Sequence, residues 1–356
     1  MMARLCGARA ATSTRRIART HGWARVERMS PGPSQASPSI PPTPELPDFP
    51  VGISAPDLSL YLAGNTGISG FTSRDSGIAG PHVVLVSLIH GNEFAGAIVL
   101  KELLDGGFKP LRGRLTLGFA NLAAYARFDP QNPVASRYVD EDMNRVWDDS
   151  TLFGVRRSLE LDRAREIKPI IDSADILLDL HTMLWPSDPV LLCGTGPRGR
   201  ALGMAVGTPA LVVADTGHAG GKRLIDYERF TENCSNGAAC LLVEAGPHWQ
   251  PAAVEQSRAT VRALLRQADM LHAAAPPDSS RFAEVVRLVT ARTNRFVFAR
   301  AFRGGEVIPK AGTLIAHDGD EEIRTPEDDI ILIMPSLKVS HGHTAVRLAR
   351  RVHPLG

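Results

Sequence analysis

The sequence predicts an α/β protein with a central mixed, largely parallel sheet, followed by a smaller β-rich C-terminal domain. Two observations predict it. Short apolar runs recur at 83–89, 176–180, 211–214 and 240–243, and stretches with helical composition or spacing, such as 94–104, 160–173 and 251–274, lie between or after them. That alternation of strand and helix marks a sheet built from crossover units. Beyond 275–280 the texture changes to short strand-like runs at 285–289, 295–302, 312–316 and 330–334, punctuated by Gly, Pro and Asp.

The run 83–89 has one polar side chain in seven residues, which suits a central strand covered on both faces. Residues 115–121 read as the next strand after the turn at Arg112-Gly113, and residues 73–81 as a loop. Residues 1–30 are Arg-rich and nearly free of acids, and 30–50 crowd Pro and Ser into a segment that cannot pack. Residues 1–48 are therefore expected to be a disordered extension, either a transit-type segment or a stretch upstream of a start at Met29. An α/β domain is expected over 49–274 and the β-rich domain over 281–356.

Composition is that of an ordinary globular protein, with 44% hydrophobic and 22% charged residues over 356 positions. No stretch approaches the roughly 18 apolar residues needed to span a bilayer. The net charge of +2 hides an asymmetry: residues 1–29 carry seven Arg and one Glu, which leaves −4 for the remainder. A mildly acidic body gives no electrostatic reason to expect nucleic acid or an anionic membrane surface as partner. The four Cys (6, 193, 234, 240) lack C-x-x-C spacing and read as reduced thiols of a cytoplasmic protein. A homo-oligomer is left open, since the sequence does not name the oligomeric state.

The chemistry-bearing residues sit where apolar runs end. His90-Gly91-Asn92-Glu93 follows the run 83–89, and Gly91 lets the backbone turn sharply there. Such strand-to-helix junctions are where open α/β sheets bind ligands. An imidazole and a carboxylate three positions apart can reach one cation, although a bare His-x-x-Glu also caps helices. His181 ends a second run in Asp179-Leu180-His181, where Asp179 could hold the other ring nitrogen. Residues 136–145 alternate acids with Arg137 and Arg145, whose forks suit a carboxylate, though such runs also form solvated loops. Glu244 ends a third run and reads either as a base or as a salt-bridge partner of one of those Arg.

Taken together, His90-Gly91-Asn92-Glu93, Arg137-Tyr138-Val139-Asp140 running into Asp142-Met143-Asn144-Arg145, Asp179-Leu180-His181 and Val243-Glu244-Ala245-Gly246-Pro247 occur in the order and spacing of the succinylglutamate desuccinylase/aspartoacylase family. The chain resembles that family over roughly 80–250. The resemblance implies a three-layer, zinc-carboxypeptidase-like α/β domain and one Zn2+ per chain held by His90, Glu93 and His181. It further implies Glu244 as general base and proton shuttle, Arg137 polarising the scissile carbonyl, and Asn144 with Arg145 holding a substrate carboxylate. The expected activity is hydrolysis of the amide of an N-acyl amino acid or a related small carboxylate. The family's further Arg shortly before the catalytic Glu has no counterpart in 231–240, where Arg223 and Arg229 are the nearest substitutes. Its C-terminal Tyr has none either, because no Tyr follows Tyr227.

His218, on the Gly-rich loop 217–221, is a further candidate for lining the substrate pocket, and His248 for shaping the acyl pocket or packing. His341 and His343 read as surface residues. The Gly-rich loop lacks the Lys-Ser/Thr ending of a phosphate loop, so no nucleotide is expected. Two other functions compete with the deacylase: a metallocarboxypeptidase acting on peptides, and a non-catalytic binding protein stapled by its metal.

Overall fold

The computed structural model describes residues 49–218, 220–231, 237–272 and 280–352. The expected extension over 1–48, Cys6, Cys234 and residues 275–279, where a linker between the two domains is expected from the run of Ala, Pro, Asp and Ser, lie outside them.

The strands Phe71–Asp75 (β1), His82–Ser87 (β2), Arg114–Phe119 (β3), Ile176–Met183 (β4), Val190–Leu192 (β5), Leu211–Ala214 (β6) and Ala239–Pro247 (β7) form one sheet with Arg281–Thr290 (β8), Val307–Ile308 (β10), Ile330–Ile333 (β13) and Thr344–Val352 (β14). Its order is β1-β3-β2-β4-β7-β5-β6-β8-β14-β13-β10. The centre, β3-β2-β4-β7, is parallel, β5 joins β7 antiparallel, and β6 runs parallel to β5 and β8. The C-terminal strands β8, β14, β13 and β10 continue this sheet antiparallel. Phe296–Phe298 (β9), Leu314–Asp318 (β11) and Glu321–Arg324 (β12) form a separate small antiparallel sheet.

Burial on both faces explains the apolar runs. In β2 the side chains alternate, Val83 and Leu85 entering one core and Val84 and Val86 the other. The first core is completed by helices Ala95–Asp105 (α1) and Pro251–Gln267 (α6), the second by Leu159–Asp172 (α4). Helix α4 starts where Ser158 accepts the amide of Leu161, with Glu160 and Asp162 in its first turn. Short helices Leu122–Tyr125 (α2), Asp149–Leu152 (α3) and Pro197–Val206 (α5) fill the connections. None of the helices among the described residues is long and apolar enough to cross a membrane.

The structure adds elements that apolar patterning did not reveal. Residues 71–75 form the edge strand β1, part of which reads as loop, because only Phe71 of FTSRD is buried while the strand pairs along one edge with β3. Strand β14 carries three Arg yet lies between β8 and β13. Cys193 and Cys240 are buried free thiols.

Candidate metal centre and active site

The loop that carries the first two polar residues is shaped by backbone geometry. Strand β2 stops at Ser87 because Leu88 takes a left-handed φ of 61°, a conformation that costs a non-glycine residue about 1–3 kcal/mol. The Leu88 carbonyl still accepts the amide of Asn121 at 2.7 Å, so the turn is anchored. His90 follows, and Gly91 then passes so close to the chain of α2 that a Cβ would lie 2.4 Å from Ala124 C and Tyr125 N. The Gly91 amide donates to Arg137 O at 3.0 Å, which joins this loop to the 136–145 segment.

His90, Glu93 and His181 converge, all three buried, with one donor atom from each lying within 4.8 Å of the others. Nδ1 of His90 is 2.8 Å from Glu93 Oε1, and Nδ1 of His181 is 3.0 Å from Glu93 Oε2. The opposite ring nitrogens face carboxylates: His90 Nε2 lies 2.9 Å from Asp142 Oδ1 and His181 Nε2 lies 2.8 Å from Asp179 Oδ2. Asp179 and His181 are two apart on β4 and so share a face. The Asp179 approach is a charge contact rather than a directed hydrogen bond, since neither of its oxygens has a hydrogen-bond partner.

This set fits a cation. His90 Nδ1 is buried with no hydrogen-bond partner although it faces a carboxylate. A neutral imidazole has one N–H, so the His181 ring, with a carboxylate at each nitrogen, calls for positive charge on it or beside it. On His181 burial alone would lower the pKa, but Asp179 and Glu93 hold it well above the usual range. Two imidazole nitrogens and a carboxylate, each imidazole backed by a second carboxylate, match the chemistry of a first-row metal ion such as zinc.

Glu244 is delivered by register: on β7 it is the pairing partner of His181 on β4 and, across the other edge, of Val190 on β5. Its Oε2 is buried without a partner. Burial, reinforced by the charge of Glu93, pushes its carboxyl up to about 8 against the opposing pull of His181 and Arg137. Arg137 donates through Nη1 to Glu93 Oε1 at 2.9 Å and through Nη2 to Asp142 Oδ2 at 3.3 Å, with about a third of its side chain exposed. Its charged partners are therefore Glu93 and Asp142, and Glu244 is bonded to neither Arg137 nor Arg145 among the described residues.

Asn144 is buried, and its Oδ1 accepts the amide of Leu224 at 2.8 Å, which leaves Nδ2 as the group it can offer a ligand. Arg145 donates to Asn144 O at 2.6 Å and to Nε2 of His218 at 3.2 Å. The Gly-rich loop lies against Arg145, since a Cβ on Gly221, whose φ is +133°, would stand 2.2 Å from Arg145 O. Of the two substitute Arg, Arg223 is bound to Asp215 and Asp226, and Arg229 to the carbonyl of Ala174. His248 is buried with Nε2 4.0 Å from Glu93 Oε1 and Nδ1 2.6 Å from Thr182 Oγ1, and it also lines a cavity of about 820 Å³ beside the end of β7. His341 and His343 are exposed.

Three participants carry no sequence signal of their own. Thr182 donates its amide to Glu93 Oε2 at 2.9 Å. Glu160, fully buried on α4, accepts the amides of Val139, Asp140 and Glu141 and the Asn121 side chain, and so clamps the loop bearing Arg137 and Asp142. Arg347 reaches His218 from β14.

Residues 79–268 match the family described as the succinylglutamate desuccinylase/aspartoacylase catalytic domain. Among solved structures, a succinylglutamate desuccinylase from Vibrio parahaemolyticus superposes with a TM-score of 0.62 at 18% identity, covering 80% of this chain and 87% of its own. The enzyme of that name from Vibrio cholerae gives 0.62 at 19% identity, with coverage of 80% and 86%. A product-bound ectoine utilization protein, EutE (DoeB), from Ruegeria pomeroyi gives 0.58 at 15%, with coverage of 78% and 88%. These likenesses establish a shared fold, and the match over 79–268 spans more than half of the residues. The chain belongs to the succinylglutamate desuccinylase/aspartoacylase family.

Proposed function

We propose that this protein is a zinc-dependent amidohydrolase that removes the acyl group from an N-acyl amino acid or a related small carboxylate. The observation that carries this reading is the placement of Glu244, a carboxylate whose Oε2 is buried without a partner, on the strand position paired with His181 beside the His90–Glu93–His181 donor set. A metal staple alone has no use for a spare carboxylate at that position.

His90, Glu93 and His181 would hold the ion, with Asp142 and Asp179 setting which ring nitrogen faces it. When bound there, zinc supplies a Lewis acid and lowers the pKa of water into the neutral range. Glu244, whose burial raises its proton affinity, takes a proton in its carboxylate form from the attacking water and returns it to the departing amine nitrogen as the C–N bond breaks. The products are a carboxylate and a free amine. Arg137 directs its guanidinium at the carbonyl oxygen, where fixed positive charge stabilises the developing oxyanion. Arg145 and the Nδ2 of Asn144 take the carboxylate of the substrate, with His218 lining that end of the site.

Amine release from acetyl-, succinyl- and formyl-amino acids by the metal-loaded protein tests this reading, with Glu244→Gln as control. Release that falls about 10²-fold or more in the variant while the metal is retained supports it. A variant as active as the native protein removes Glu244 from the mechanism. Release from peptides alone would make the protein a metallocarboxypeptidase, and no turnover on any amide would favour a metal-stapled binding protein.

A further inference from the structure

Beyond Arg145 stands a second guanidinium group that no strand-end motif announced. Arg347, on β14, is 3% exposed, and its Nε donates to Asp215 Oδ2 at 2.7 Å. The same oxygen also accepts Nη1 of Arg223 at 2.7 Å. Arg223 is saturated with carboxylate, since its Nε and Nη2 chelate Asp226 at 2.7 and 2.9 Å. Arg347 is not: its Nη2 ends on Nε2 of His218 at 2.6 Å, the nitrogen that Arg145 Nη2 reaches at 3.2 Å. Among the described residues no carboxylate accepts a hydrogen bond from Arg145, and the nearest, Asp142 Oδ2, is 3.8 Å away.

Two guanidinium forks thus compete for one imidazole lone pair. Both guanidinium groups can only donate, so Nε2 of His218 is the acceptor, and the neutral ring carries its proton on Nδ1, which donates to Thr344 Oγ1 at 2.9 Å. Burial and the charges of Arg347 and Arg145 hold the ring far below the usual imidazole range, so it contributes no charge of its own. A single lone pair satisfies one donor, whereas a carboxylate offers about four acceptor sites and takes guanidinium forks in pairs.

We propose that Arg145 and Arg347 together form one carboxylate seat, so that the substrate acid is gripped jointly by the 136–145 loop and by strand β14, with His218 as the neutral spacer between the two forks. The inference rests on the deacylase reading and deepens it. Arg347 becomes the specificity-determining residue, and the substrate must carry a carboxylate that two guanidinium groups share. Position supports this: Asp142 bridges from His90 to Arg145, so the seat is one side chain removed from the metal ligands. Arg347 is also near enough to Glu244 for each to feel the other's charge.

The test compares an N-acyl amino acid with its carboxamide, in which the same amide is cleaved but the acid is neutral, using metal-loaded full-length protein. In the native protein kcat/KM is expected to favour the acid. Arg347→Gln is expected to raise KM for the acid and to shrink the acid-over-carboxamide preference roughly ten- to hundredfold. Equal losses on both substrates, or an unchanged preference, overturn the proposal and leave Arg347 as a partner of Asp215 only. Arg347→Lys keeps a charge for Asp215 but loses the fork and is expected to lose the same preference; if neither variant folds, the role of Arg347 is structural and the proposal fails. Calorimetric titration with succinate gives a readout independent of turnover, expected to weaken tenfold or more in Arg347→Gln. Native turnover with unaltered Arg347 variants would sink the seat and spare the deacylase, whereas succinate binding that depends on Arg347 without turnover on any acylated amino acid would do the reverse.

Discussion

Replacing Glu160 by Gln should damage the active site without touching it. Oε1 of Glu160 accepts Asn121 Nδ2 at 3.0 Å and Val139 N at 2.6 Å, and Oε2 accepts Asp140 N at 3.0 Å and Glu141 N at 3.2 Å. Gln turns one oxygen into an NH2 group that faces two donors, so two hydrogen bonds to a charged group are lost. At about 1.5–3 kcal/mol each, less some relaxation of the loop, the expected cost is about 3–4 kcal/mol. For a chain of this size that corresponds to a fall in Tm of roughly 4–6 °C. The clamped loop carries Arg137 and Asp142, so kcat should fall as well, by about tenfold or more. The pH dependence has a definite sign. Burial works to raise the Glu160 pKa, but the amides of Val139, Asp140 and Glu141 and the Asn121 side chain hold it below the ordinary range. Its stabilisation is therefore full above the unfolded-state value of about 4.3 and is lost as pH falls through the lower folded value, so the native protein should lose its advantage over Glu160→Gln on acidification. Thermal melts across pH together with steady-state kinetics read both effects. A variant melting within about 2 °C of the native protein at neutral pH, with kcat unchanged, would refute the clamp.

Other outcomes follow from the same geometry. Asp142→Asn and Asp179→Asn each remove the carboxylate facing an outward ring nitrogen, and competition against a chromophoric chelator should show metal affinity reduced about 10–100-fold. Gly91→Ala would drive a methyl into the backbone of Ala124 and Tyr125, and denaturant titration should show a loss of about 1–3 kcal/mol together with weakened metal binding. Stripping the metal with a chelator should lower Tm reversibly, by an amount that grows with the logarithm of metal concentration on reconstitution.

The parts of the site that were legible in the sequence share one property. His90, His181 and Glu244 each end an apolar run, so a polar residue stands out where a buried strand reaches the ligand-binding edge of the sheet. Glu160 and Arg347 lack that contrast. Glu160 sits among alternating charges in the first turn of α4, where an exposed acid would be equally at home, and only the fold brings the 139–141 amides onto it. Arg347 lies in TAVRLARRV, a segment whose charges mask a strand, and the carboxylate that balances its buried charge, Asp215, is far away in sequence. The same masking hid β14 and the edge strand β1, whereas β2, β4, β6 and β7 were visible because both of their faces, or nearly so, demand apolar residues. The end of β2 at Ser87 rather than at Ile89 reflects the left-handed turn at Leu88, a backbone state that leucine does not advertise.

The most direct test of the account is metal stoichiometry by elemental analysis of the purified full-length protein, set beside two sets of variants. The account predicts about one first-row metal ion per chain, zinc foremost, retained by Glu244→Gln and lost from His90→Ala and His181→Ala that remain folded. No stoichiometric metal after reconstitution, or full loading in the folded histidine variants, would contradict the assignment of His90, Glu93 and His181 and the mechanism built on it.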